Sequence, residues 1–306
     1  MVNLVIGAAA SGKSEYAEDI VMSLPGEKIY IATMEPFGAE AKERIARHRA
    51  LRAGKGFSTV ERPRNLIGLT PEADWNVLIE DLPNLAANEL FSLEGGGADA
   101  VLTGVERICK TASSVTIVTG DIFSDGGTYD TGTQEYMEML ADLHTKIAEM
   151  ADNVVEVICG IPCAVKGELP VNIVNYEIAA SEISGQDSCH QAGLHVYVTG
   201  PMASGKREYV LDTLGISASE AAFEVQELLR KEPDMDVAGL VEELSRFQAI
   251  TQTEVGAGVI PLAAAEREWR ERTGRLACLL ASRADIVVRM VCGVPIIVKN
   301  LRRLLT

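Results

Sequence analysis

Val2-Asn-Leu-Val-Ile6 runs into Gly7-Ala-Ala-Ala-Ser-Gly12-Lys13-Ser14 and then into Glu15-Tyr-Ala-Glu-Asp-Ile-Val-Met-Ser-Leu24. The first run reads as a buried strand and the last as a helix, so Gly7, Ala8, Ala9, Ala10, Ser11 and Gly12 form the turn between them. Such a turn aims backbone N–H groups at phosphate oxygens, and the helix dipole favours the negative charge. Lys13 is then placed to reach the terminal phosphates of a nucleotide, and the Ser14 hydroxyl to hold Mg²⁺. An ordinary strand–helix turn could match these letters by chance, but strand, loop and helix occur here together. Nucleoside triphosphate binding is the first expectation.

The pattern returns near residue 200. Leu194-His-Val-Tyr-Val-Thr199 leads into Gly200-Pro-Met-Ala-Ser-Gly205-Lys206-Arg207, with Arg207 where Ser or Thr is needed. Arginine has no acceptor oxygen and cannot ligate Mg²⁺. A second echo pairs Ala151-Asp-Asn-Val-Val-Glu-Val-Ile-Cys-Gly160-Ile-Pro-Cys-Ala-Val-Lys166 with Ala284-Asp-Ile-Val-Val-Arg-Met-Val-Cys-Gly293-Val-Pro-Ile-Ile-Val-Lys299. The loops are offset by 193 positions and the terminal segments by 133, so the second copy is shorter by about 60 residues. The expected organisation is a first domain over 1–167, a linker over 168–193 and a shortened copy with a degenerate loop over 194–306.

The chain has 306 residues, 47% hydrophobic and 24% charged, enough for two cores. A formal net charge of −16 argues against nucleic acid as partner. Six scattered cysteines read as structural thiols, with Cys159 and Cys292 at equivalent positions in buried strands. No leader and no membrane-length apolar run is legible, so the expectation is a cytoplasmic protein without stable membrane insertion.

Along the first copy, strands are expected at Lys28–Thr33, Asn76–Asp81, Ser114–Thr119 and within Val154–Lys166. Helices are expected at Ala39–Leu51, which is basic, and at Thr133–Met150. Alternating strands and helices argue an α/β fold with a doubly wound, mostly parallel sheet. The second copy is expected to keep its loop strand, helical stretches at Ser217–Lys231 and Val237–Phe247, a strand at Gln248–Thr253, a helix after Pro261 and the terminal strands. Its missing part is read as the basic helix and the carboxylate strand.

Two further places could carry chemistry. Glu80 and Asp81 close a strand where a carboxylate can bind or orient Mg²⁺, with Glu80 preferred because Asp81 alternates to the other face; the competing reading is two solvated acids. His48 sits in Arg44-Ile-Ala-Arg-His48-Arg49-Ala-Leu-Arg52. Neighbouring positive charge keeps an imidazole neutral and nucleophilic. From charge alone an exposed basic helix is the preferred reading of this stretch. His144, His190 and His195 lack such surroundings and read as structural or solvated.

Taken in order, Gly7–Ser14, Tyr30-Ile-Ala-Thr33, Arg44–Arg52, Phe57-Ser-Thr-Val-Glu61-Arg-Pro63, Leu78-Ile-Glu80 and Asn88-Glu-Leu90 resemble the bifunctional adenosylcobinamide kinase / adenosylcobinamide-phosphate guanylyltransferase family. The second copy adds Thr253-Glu254-Val-Gly-Ala-Gly-Val-Ile-Pro261, Arg267-Glu-Trp-Arg270, Gly274, Ala284-Asp285 and Gly293-Val-Pro295. The resemblance implies a P-loop NTPase-like fold with a smaller related α/β unit. It implies that the substrates are adenosylcobinamide, ATP and GTP, with Mg²⁺. A γ-phosphoryl group passes to the corrinoid's hydroxyl, and GMP is then transferred through a guanylylated histidine. The matching histidine is His48, which displaces the exposed-helix reading. Lys13 and Glu80 are implied as catalytic partners, Ser14 and Glu80 as metal ligands. Thr33, Arg49, Arg52, Glu61 and Glu254 are implied nucleotide contacts besides the loop itself. A homo-oligomer with sites near subunit boundaries is also implied.

This chain departs from the family loop, having Ala8 and Ala10 where Gly and Arg are usual. The decay is complementary: the first copy reads Gly120-Asp121-Ile-Phe-Ser-Asp-Gly-Gly-Thr128 opposite Thr253–Pro261, and Gln134, Met137 and Ala141 opposite Arg267, Arg270 and Gly274. Either the second copy lends its 254–261 loop to a shared site, or it is a stabilising appendage. The alternatives in function are an enzyme retaining one of the two activities and a non-catalytic nucleotide-binding partner or regulator.

Overall fold

The computed structural model describes residues 1–35, 54–125, 127–171 and 195–301. The chain divides into two compact units. One comprises Met1–Gly7, Lys13–Glu156 and Ala164–Val171; the other comprises Ala8–Gly12, Val157–Cys163 and Asn172–Thr306. The basic helix expected at 39–51 lies outside the described residues, as does most of the segment read as a linker.

In the first unit β1 (Val2–Gly7), β2 (Glu27–Ala32), β3 (Ser58–Glu61), β4 (Trp75–Glu80), β5 (Ser114–Gly120), β6 (Asn153–Ile158) and β7 (Ile161–Lys166) form a sheet ordered β3-β2-β4-β5-β1-β6-β7. Every registered pair from β3 through β6 is parallel. Parallel strands covered on both faces need apolar residues on both. Val77, Leu78 and Ile79 of β4, and Val115, Ile117 and Val118 of β5, are accordingly buried in succession. Helices α1 (Lys13–Met22), α2 (Leu82–Phe91), α3 (Gly97–Thr111) and α4 (Thr131–Met150) supply the layers, α1 burying Tyr16, Ala17, Ile20 and Val21. The segments forming β3, α2 and α3 carried no expectation from sequence. The 153–166 pair is a hairpin whose two-residue turn has both φ positive, 50° at Cys159 and 83° at Gly160, the backbone signature of a tight primed turn. Cys159 thus lies in a turn rather than a strand.

The second unit's sheet is ordered β12-β11-β8-β10-β9, from β8 (Val196–Gly200), β9 (Ala221–Ala222), β10 (Ala249–Thr253), β11 (Ile286–Val291) and β12 (Val294–Asn300). After a short helical turn at Lys206–Glu208 that continues as a π-helix over Tyr209–Thr213, its longer helices are α5 (Gln226–Lys231), α6 (Val237–Leu244) and α7 (Ala264–Arg283). The helix expected over Ser217–Lys231 begins only at Gln226. Ala221 and Ala222 instead pair with Ala249 and Ile250 as a short edge strand, satisfying backbone groups that a helix would have used internally.

The duplication is visible atom by atom. The Gly7–Gly120 register recurs as Gly200–Thr253, and Asp121 N to Gly7 O (3.2 Å) recurs as Glu254 N to Gly200 O (3.0 Å). Asp152 Oδ2 accepts from Val2 N (2.7 Å), and Asp285 Oδ2 from His195 N (2.9 Å). Lys166 Nζ donates to Ala148 and Glu149 carbonyls at the end of α4; Lys299 Nζ donates to Ala281 and Ser282 at the end of α7. These cations satisfy terminal carbonyls and complement the helix dipole. The turn repeats as well, with φ 50° at Cys292 and 82° at Gly293, so Cys292 also lies in a turn and is exposed.

Candidate active site

The carboxyl ends of parallel strands open onto the crevice where ligands bind in doubly wound sheets. Here β1 ends at Gly7, directly before the loop, and β4 ends at Glu80. Helix α1 packs over β4 and β5 and begins at Lys13, so its first turn presents Ser14 to the end of β4. The Ser14 hydroxyl donates to Glu80 Oε1 at 2.6 Å. The other oxygen, Oε2, is buried without a hydrogen-bond partner. Burial pushes the Glu80 carboxyl up to about 7, against the lowering effects of the Ser14 hydrogen bond and the Lys13 charge. Glu80 is therefore no solvated acid. Asp81 lies past the strand and caps α2, its Oδ1 accepting from Asn84 N at 2.8 Å.

An orphaned, buried carboxylate oxygen beside a serine hydroxyl suits a hard cation, which takes oxygen ligands and satisfies the remaining lone pairs. Among the described residues no cluster of three or more His, Cys, Asp or Glu could cage a metal.

The loop itself belongs to the second unit over Ala8–Gly12. Ala9 N donates to Gly256 O (2.9 Å), Cys278 Sγ to Ala10 O (3.4 Å) and Gly160 N to Ser11 O (2.8 Å). Ala10 has φ 51° and Gly12 φ 87°. The backbone turn thus survives alanine at position 10, as it does at Ala203 in the second loop, with φ 55°. The Ser11 hydroxyl is buried without a partner. Gly274 is required by this packing: a Cβ there would lie 2.5 Å from Ala9 O. Gly256, Gly274 and Cys278 were not read from sequence as loop contacts, although the first two were quoted within the family segments.

The other expected residues fall as follows. Thr33 is fully buried; its N donates to Glu80 O (3.1 Å) and its hydroxyl to Asp81 O (2.9 Å), tying β2 to the end of β4. Glu61 ends β3 and is exposed. Glu254 is held by Arg289 through two hydrogen bonds, Nε at 3.0 Å and Nη2 at 2.9 Å. His48, Arg49 and Arg52 lie outside the described residues. His144 is structural as expected: its Nε2 is 2.6 Å from Thr119 Oγ1, and burial pulls its imidazole down to about 4. His195 likewise contacts Phe247 O at 3.0 Å.

The second loop shows what decay means physically. The β9–β10 register, set against β4–β5, places Phe223 at the position of Glu80. The carboxylate strand is thus shortened to β9 rather than lost. Where Ser14 meets Glu80, Arg207 stacks on the Phe223 ring at 4.2 Å. Both members of the pair have changed together, exchanging a hydrogen bond for a cation–π contact. Lys206 is 4% exposed and is held by Pro201 O (2.9 Å), Gly200 O (3.5 Å) and Glu224 (3.5 Å).

No helix among the described residues is long and apolar enough to cross a membrane. The family model for cobinamide kinase / cobinamide phosphate guanyltransferase matches residues 3–165 and again 202–298. The bifunctional adenosylcobalamin biosynthesis protein CobP of Pseudomonas aeruginosa is 29% identical over 177 residues, 55% of this chain and 99% of the relative. The two matched stretches together span well over half of the sequence: the chain belongs to the cobinamide kinase / cobinamide phosphate guanyltransferase family.

Proposed function

We propose that this transferase acts in adenosylcobalamin biosynthesis, phosphorylating adenosylcobinamide and then transferring GMP from GTP to the phosphorylated product. The observation that supports the reading most is the Ser14–Glu80 pair with its unsatisfied Oε2 at the end of β4, beside an intact phosphate-binding turn. In the kinase step the acceptor hydroxyl attacks the γ-phosphorus and the bond to the nucleoside diphosphate breaks. Backbone N–H groups of the Gly7–Ser14 turn other than those of Ala9 and Ser11, which are held by Gly256 O and Ala8 O, and the Lys13 ammonium hold the phosphates in line. Mg²⁺, when bound, would be held by Ser14 and Glu80 and would offset charge on the phosphate oxygens.

In the second step, the His48 imidazole attacks the α-phosphorus of GTP and pyrophosphate leaves. The phosphate of adenosylcobinamide phosphate then attacks the same phosphorus, the P–N bond breaks, and the histidine is regenerated. Arg49 and Arg52 are placed by the sequence beside this histidine, to neutralise the transferred group. The copies at 1–167 and 194–306 divide the work: the 254–261 loop, clamped by Glu254–Arg289, supports the phosphate-binding turn through Gly256 O. Thr33, just beyond β2, and Glu61, at the end of β3, are the remaining nucleotide contacts of this reading. The decisive kinase experiment is product formation from adenosylcobinamide and Mg-ATP. Lys13→Ala is expected to lower it by on the order of 100-fold or more. Wild-type protein that binds ATP yet forms no phosphorylated corrinoid would overturn the kinase assignment.

A further inference from the structure

Above the carboxyl edge of the first sheet stands a wall that the phosphoryl chemistry leaves unused. Thr119, at that edge of β5, meets His144 of α4 (2.6 Å), and α4 runs on from there to the amino end of β6. The turns of α4 before His144 therefore rise beyond the sheet. Helix α2 leaves the end of β4 beside them. Tyr136 Oη donates to Pro83 O in its first turn (3.2 Å), and Phe91 in its last turn packs on the Tyr136 ring, centroids 6.3 Å apart. The buried Glu89 carboxylate fixes the end of α2 by accepting from Asn65 N (2.6 Å) and Gly96 N (2.8 Å). On this supported shelf Phe91 is 62% exposed and Leu93 fully so.

The charge around the shelf decides what it takes. Neither 81–106 nor 120–145 contains a lysine or an arginine. Glu94 follows Leu93, and Glu135 and Glu138 flank Tyr136 along α4, all three exposed. Such a border repels a triphosphate, and equally a second copy of so acidic a chain. Exposed apolar and aromatic surface edged by carboxylates suits a broad, apolar ligand that carries positive charge. Of the reactants only the corrinoid has that chemistry. Its macrocycle is rimmed by methyl groups and neutral amides, and the corrin and adenosyl ligands leave positive charge at cobalt uncompensated. Its acceptor hydroxyl ends a flexible side arm, so the ring rests away from the transferred phosphorus. The ten residues of α2 set Phe91 about 15 Å from Asp81, and Tyr136, touching both Pro83 and Phe91, lines the way between them.

We propose that Phe91, Leu93 and Tyr136 form the seat of the corrin ring, with the acidic border matching its positive charge. The seat rests on the kinase reading, whose acceptor it holds. Equilibrium dialysis of the full chain against adenosylcobinamide without nucleotide, read by the corrinoid's visible absorbance, tests it without turnover. The Phe91→Ala/Leu93→Ala double variant should weaken binding by on the order of 10- to 100-fold, as expected for the apolar area lost. Glu135→Lys should weaken it too, and more at low ionic strength than at high. These side chains are partly or wholly exposed, and thermal melting of the same samples verifies that each variant is folded. Wild-type affinity in either folded variant overturns the proposal and hands the shelf to a protein partner. A wild type that retains no corrinoid overturns it as well. A wild type that binds corrinoid through these residues, yet forms no phosphorylated product with Mg-ATP, overturns the kinase reading and leaves the seat standing.

Discussion

Replacing Glu80 by glutamine should stabilise this protein at alkaline pH and leave it nearly unchanged at acid pH. The carboxyl is buried, with its pKa pushed up to about 7 from an ordinary 4.5. Between those values the folded state keeps a proton that the unfolded chain has released, so wild-type stability falls as pH rises through this window. Each pKa unit is worth about 1.4 kcal/mol, so the penalty grows by about 2 to 3 kcal/mol between about pH 5 and about pH 8.5. Glutamine has the same shape, can accept the Ser14 hydrogen bond through its amide oxygen, and carries no charge to desolvate. Urea denaturation of both proteins across this range isolates the effect, because other titrating groups cancel in the difference. The Glu80→Gln advantage should rise with pH, while the variant loses phosphoryl transfer. A difference that is flat with pH would refute the reasoning that the desolvation of Glu80 outweighs its Ser14 hydrogen bond and the Lys13 charge.

Other expectations follow from the same contacts. Calorimetric titration should find one triphosphate per chain, because Lys206 is held by Pro201 O and Glu224 and Arg207 by Phe223; two sites of similar affinity would contradict this. Gly274→Ala should cost about 1 to 3 kcal/mol by forcing its methyl against Ala9 O, and should weaken nucleotide binding in the same titration. Asp81→Ala removes the cap of α2 and should cost about 1 kcal/mol, measured by thermal melting. Glu254→Ala releases Arg289 and the 254–261 loop; if both activities were untouched, the loop's supporting role would be wrong.

What could be read from sequence is what local spacing determines. Gly7–Ser14 announces strand, turn and helix together, and the 151–166 and 284–299 segments announce the duplicated hairpins by agreeing at nine of sixteen positions. Glu80 was legible as the acid at a strand end, but its burial was not, because that depends on α1 lying across β4. The helices α2 and α3 escaped because the intervening Gly95-Gly-Gly97 and scattered polar residues blur the helical period. Strand β9 escaped because two alanines carry no strand signal; only pairing with Ala249 and Ile250 makes them one. The Arg207–Phe223 exchange follows from that register, which no motif reveals. The role of Gly274 likewise depends on a chain segment more than 260 positions away approaching its backbone.

The most direct test is the intact mass of the protein after incubation with Mg²⁺ and GTP, beside His48→Ala treated identically. The account predicts an acid-labile adduct of GMP mass on the wild type alone, discharged by adenosylcobinamide phosphate. GTP binding with no adduct, or an adduct that persists in His48→Ala, would contradict transfer through this histidine.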